Sequence, residues 1–109
     1  NDIVLIDFWA SWCGPCRMFA PVYEKASEAN EDITFAKVDT EAQPDLAQAF
    51  QITSIPTLMV IRDGIVLHSQ AGALPEPALN SLIQAVRDLD MDDVRAQIAA
   101  EKSDAAAGA

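Results

Sequence analysis

Two cysteines occur in this chain, Cys13 and Cys16, and both lie in the run Trp12-Cys13-Gly14-Pro15-Cys16-Arg17. A C-x-x-C pair supports three chemistries: metal binding, a structural cross-link, or reversible dithiol–disulfide exchange. A structural zinc site needs four ligands, and beside the two thiols there is one distant histidine, His68. A permanent disulfide between residues so close in sequence closes a tiny loop, which hardly restrains the unfolded chain. Exchange fits the placement better, because helical periodicity begins at the pair. Unpaired N–H groups at a helix N-terminus favour the Cys13 thiolate, by roughly 0.3 to 2 kcal/mol. Cys16 lies one turn further on, beside Phe19, where burial is expected to keep it protonated until it is needed. Cys13 is therefore expected as the exposed nucleophile and Cys16 as the sheltered resolving thiol.

The elements that must hold this pair are also readable. Ile3 to Phe8 is apolar at both parities, the mark of a strand covered on both faces. A helix is expected from Cys13 to Ala29, with Phe19, Val22, Tyr23 and Ala26 on its buried side and Pro21 as an interior kink. Ile33 to Val38 completes a β-α-β unit, whose crossover is expected to be right-handed. A short helix over 43–50 opens with Pro44 and Asp45. A strand over 57–61 then runs through the Asp63-Gly64 turn into a strand over 65–70. Leu79, Leu82, Ile83 and Val86 mark a further helix after Pro75 and Pro77, and Asp90 caps a last one, with Leu89 and Val94 as a hydrophobic staple. The reading is one α/β domain over 1–102, its last helix over 90–102, and a frayed tail over 103–109. Met18 and Met59 read as core filler, and His68 as a surface or edge residue.

The bulk numbers exclude several roles. With 17 acidic and 7 basic residues the formal net charge is -10, which opposes binding to nucleic acid or an anionic membrane. The early apolar run stops at Asp7, too short for a membrane span, and no basic region precedes it. As given, the chain reads as cytoplasmic.

Asp7 shares its parity with Ile3 and Leu5, so it reads as a partly buried carboxylate with a raised pKa. Such a group can take a proton from Cys16 as that thiol attacks a mixed disulfide. Lys37, on the neighbouring strand, is the expected partner of Asp7.

The segment from Phe8 to Arg17 closely resembles the active-site segment of thioredoxins. The resemblance continues through Pro21, Ala36-Lys37-Val38-Asp39, Ile55-Pro56-Thr57, Asp63-Gly64 and Gly72-Ala73, covering Ile3 to about Leu89. It implies a thioredoxin-like fold, a central mixed β-sheet flanked by helices, and the activity of a protein-disulfide reductase. It also implies the proton-transfer roles for Asp7 and Lys37. Trp12, Ile55, Pro56, Gly72 and Ala73 would form an apolar docking patch, with a cis bond before Pro56. Gly14 and Pro15 resemble the spacer of reducing members. No bound cofactor is implied: a thioredoxin reductase would return electrons from NADPH to the redox-active disulfide. The family pattern has one more strand and helix ahead of Ile3, so the resemblance implies an open edge on the strand over 33–38 and a tendency to self-associate. The rival is a binding or scaffold module that keeps the fold without turnover.

Overall fold

The computed structural model describes residues 2–108, with the side chains of residues 2–103. Eight elements follow in order: β1 (Ile3–Trp9), α1 (Gly14–Ala29), β2 (Thr34–Asp39), α2 (Pro44–Ala49), β3 (Thr57–Arg62), β4 (Ile65–Ala71), α3 (Glu76–Asp88) and α4 (Met91–Gly108). The sheet is mixed, in the order β2-β1-β3-β4. β1 pairs with β2 in parallel and with β3 antiparallel, while β3 and β4 form an antiparallel hairpin. Asp63 and Gly64 both adopt positive φ, 55° and 77°, which matches the twist of a two-residue hairpin turn.

The double-sided apolarity of β1 is explained by packing against both faces of this central strand. Ile3 and Leu5 face a core completed by Phe19, Tyr23 and Ala26 of α1, Leu58 and Val60 of β3, and Leu79, Ile83 and Val86 of α3. Phe8 points the other way, its ring 5.7 Å from that of Phe50 at the end of α2. Tyr23 ties α1 to the sheet, its hydroxyl 2.9 Å from the Leu5 carbonyl oxygen and 2.7 Å from that of Ala36. Helix α1 continues through Pro21, which lies on its exposed side.

The C-terminal region departs from expectation. Residues 103–108 continue α4, which runs to Gly108, so the frayed tail expected from Ser103 is corrected. Alanine, which fills positions 105 to 107, loses less free energy in a helix than any other residue. At the other end Asp90 Oδ1 accepts the N–H groups of Asp92 and Asp93 and caps α4 as expected. Arg62 closes α3, Nη1 donating to the carbonyls of Val86, Arg87 and Leu89. Met59 is buried as expected, whereas Met18 is 73% exposed. Its position, one residue before Phe19, turns it out of the helix's apolar stripe. His68 is half-buried, with Nε2 2.8 Å from Gln70 Oε1.

Candidate active site

β1 ends at Trp9, and after four intervening residues α1 begins at Gly14, so the cysteines stand where a central strand hands over to a helix. Cys13 is the N-cap of α1, in extended conformation, and its Sγ accepts the N–H of Cys16 at 3.2 Å. Pro15 occupies the first turn, where a missing N–H costs no helical bond. Gly14 is the first helical residue, and a Cβ there would meet nothing within 4 Å, so packing does not demand glycine. The two sulfurs are joined as a disulfide across Cα atoms 5.2 Å apart.

In this oxidised state Cys13 is not the exposed member of the pair. It is 4% exposed against 3% for Cys16, enclosed with Ala10, Trp9 and Ile55. The difference from expectation comes from the loop before Pro56, which covers the cysteines across the site. Cys13 Sγ lies 3.8 Å from the Ile55 carbonyl oxygen. What separates the two sulfurs is their setting: Sγ of Cys13 is aligned with a helix N-terminus, while Cys16 faces inward.

Asp7 stands behind Cys16. It is 1% exposed, and neither carboxylate oxygen has a hydrogen-bond partner among the described residues. Burial raises its pKa from 3.8 to about 6, and the Lys37 charge lowers it only in part. Asp7 and Lys37 are register partners across β1 and β2. Their interaction is one of charge without a hydrogen bond, because the ammonium sits over the Trp9 ring, 5.1 Å from its centroid. A cavity of about 90 Å³ lies between them, lined by Asp7, Trp9, Cys16, Arg17, Ala20 and Lys37. That space has room for water and joins the orphan carboxylate to the inner thiol.

The docking residues are only partly together on the surface. Trp12 is 63% exposed, Gly72 and Ala73 are exposed and Ile55 is half-buried, but the Pro56 side chain is fully buried. The Ile55–Pro56 bond is cis. The Pro56 carbonyl accepts the Gly72 N–H at 2.8 Å, so Pro56 contributes by placing Ile55 and Gly72. Glycine at 72 is required by φ +103°, not by close approach, since a Cβ there would meet nothing within 4 Å.

Two features were not expected from the sequence. Arg17 Nη1 donates to the Ser11 carbonyl at 2.9 Å, closing the loop before α1. Glu41, in the β2–α2 loop, accepts the Trp12 indole N–H. The only local signal is Asp39, whose Oδ1 accepts the N–H groups of Glu41 and Ala42 in an Asx turn.

Comparison with known proteins agrees with this geometry. The family model described as Thioredoxin matches residues 1–85. A Streptomyces coelicolor relative whose name places it among the thioredoxins is 61% identical over 105 residues, 96% of this chain and 78% of its own length. That match extends into α4, beyond the end of the family model. A Mycobacterium leprae protein named bifunctional thioredoxin reductase/thioredoxin is 46% identical over 80 residues, 72% of this chain and 18% of its own. Among solved structures, a mutant thioredoxin from Halobacterium salinarum superposes with a TM-score of 0.76 at 40% identity, covering 83% of this chain and 79% of its own.

Proposed function

The chain belongs to the thioredoxin family, and on that premise we propose how its site carries out disulfide reduction. The family and the Cys13–Cys16 pair at bonding distance make it a dithiol–disulfide oxidoreductase that reduces protein disulfides. In the reduced protein the Cys13 thiolate, favoured by the N-terminus of α1, attacks one sulfur of a substrate disulfide. A mixed disulfide forms and the first substrate sulfur leaves as a thiolate, which takes up a proton from solvent. Asp7 then accepts the Cys16 proton through the shared cavity, and the Cys16 thiolate attacks Cys13 Sγ. The second substrate sulfur leaves and is protonated. Two electrons have passed to the substrate, and the protein is left with the disulfide described above.

The observation that carries this reading is the partnerless Asp7 carboxylate on the cavity that Cys16 also lines. A group poised near neutral pH can both take and return a proton, whereas an ordinary aspartate is too weak a base. The docking role of Trp12, Ile55, Gly72 and Ala73 is supported by the packing of Ile55 on Cys13, the bond from Gly72 to the adjacent Pro56, and the exposure of Trp12, Gly72 and Ala73. The rest of the cycle calls for an electron donor, and we assign it to a thioredoxin reductase using NADPH in the cytoplasm. The fused reductase and thioredoxin of the Mycobacterium leprae relative supports this partner. No described helix is long and apolar enough to cross a membrane.

Insulin reduction coupled to NADPH oxidation through a thioredoxin reductase tests the cycle. Cys16→Ser is expected to accumulate covalent substrate complexes, and Cys13→Ser to accumulate none. Equal trapping by both variants would refute the assignment of attacker and resolver.

A further inference from the structure

We propose that Glu41 is a specificity-determining residue of this reaction: it holds the exposed indole of Trp12 and places a negative charge beside Cys13, favouring disulfides flanked by lysine or arginine. The inference rests on the reductase reading above and concerns which substrates that site prefers.

Trp12 precedes the nucleophile and is 63% exposed, so packing does little to fix its ring. The Glu41 carboxylate does so instead, accepting the indole N–H across 29 residues of sequence. Glu41 is itself held. Asp39 Oδ1 accepts its N–H at 2.9 Å and that of Ala42 at 3.3 Å. Thr40 anchors the same loop to the end of β1, its N–H and Oγ1 lying 2.9 and 3.1 Å from the Trp9 carbonyl oxygen. The ends of two paired strands thus bring one acid and one indole together at the mouth of the site.

Among the described contacts, the charged side chain bonded to a docking residue is that of Glu41. Residues 51–56 and 71–75, which complete the docking face, carry no charged side chain. The Asp39 carboxylate is engaged in its turn. Of the cations close to the motif, Arg17 donates to the Ser11 carbonyl and Lys37 lies over Trp9 on the cavity side. Glu41 is therefore the charged group that touches the docking residues. A fixed charge at a rim attracts oppositely charged partners and repels like-charged ones, and salt weakens both effects.

The test uses two synthetic peptide disulfides that differ only in lysine or glutamate on either side of the cysteine. The readout is the ratio of kcat/KM for the cationic peptide to that for the anionic one. Glu41→Gln keeps an acceptor for the indole and removes the charge, and is expected to lower this ratio about fivefold, the effect of one unit-charge contact in water. Raising the salt to about 1 M should compress the wild-type ratio towards that of the variant. Glu41→Ala should lower the ratio equally and, by freeing the indole, raise KM for both peptides above the Gln values. Glu28→Gln, on an exposed turn of α1, controls for net charge. A Glu41→Gln ratio equal to wild type, or an equal fall in Glu28→Gln, overturns the charge assignment. Equal KM values for the Ala and Gln variants overturn the holding role. Wild-type protein that reduces neither peptide overturns the reductase reading and the inference with it.

Discussion

Replacing Asp7 by asparagine should stabilise the protein while slowing its catalysis, and the size of the gain can be worked out from the site. Both the neutral carboxyl and the amide would be buried without partners, so their polar costs nearly cancel. What the variant removes is the cost of ionising the carboxyl. Its pKa of about 6 in the folded protein lies above the 3.8 of the unfolded chain, so the native state holds its proton more tightly. Stability from this group is then fully present below pH 3.8 and is lost as pH rises through about 6. At pH 7 the cost is about 3 kcal/mol, at 1.36 kcal/mol per pKa unit. It falls to about half of that near pH 5 and below about 1 kcal/mol at pH 4. Urea unfolding of the disulfide form of wild type and Asp7→Asn, at pH 4, 5 and 7.5, reads this directly. The variant should be more stable by about 3 kcal/mol at pH 7.5, or roughly 13 °C in Tm, with the advantage shrinking on acidification. A stability difference that does not change with pH would refute the claim that Asp7 is buried and ionises at a cost. The same variant lacks the proposed base for Cys16. Stopped-flow resolution of a mixed disulfide near pH 7 should slow by about 10²-fold or more.

Lys37→Gln removes the cation that lowers the Asp7 pKa, so that pKa should rise further and the acidic limb of the pH–rate profile should move to higher pH. An unmoved limb would detach Lys37 from the proton step. Leu79→Ala empties a fully buried core position and should cost about 2 to 5 kcal/mol in urea unfolding. Asp90→Ala removes the cap of α4 and should cost about 0.5 to 2 kcal/mol, read as faster amide exchange in the first turns of that helix. Insulin reduction by that variant should match wild type, because α4 supplies no residue to the site.

How much of this was legible in sequence depends on the range of the interactions. The cysteine pair was legible because its spacing, Pro15 and the onset of helical periodicity are local. Asp7 was legible through strand parity, which put it on the same buried face as Ile3 and Leu5. The enclosure of Cys13 was not, because Ile55 reaches it from 42 residues away in sequence. Lys37 shows the limit of a register argument: adjacency in the ladder is correct, but a flexible stem allows the ammonium to settle on Trp9 rather than on Asp7. Glu41 could not be found from its neighbours alone, since its partner lies 29 residues away.

The sheet order explains why one carboxylate can serve the pair without being neutralised. β1 has β2 on one side in parallel and β3 on the other antiparallel, and its C-terminal end feeds the loop that leads into α1. Ligand sites of open α/β sheets form at such strand ends, where helix N-termini also gather. A residue two positions before that end lies under the first turn of the next helix, and there Asp7 meets Cys16 across the cavity. Any direct partner for Asp7 would relieve its ionisation cost and return its pKa towards the ordinary aspartate range, losing the match to neutral pH. The missing hydrogen bond and the proposed catalytic use are therefore one feature, and a buried partner engineered for Asp7 should gain stability in proportion to the proton affinity it removes.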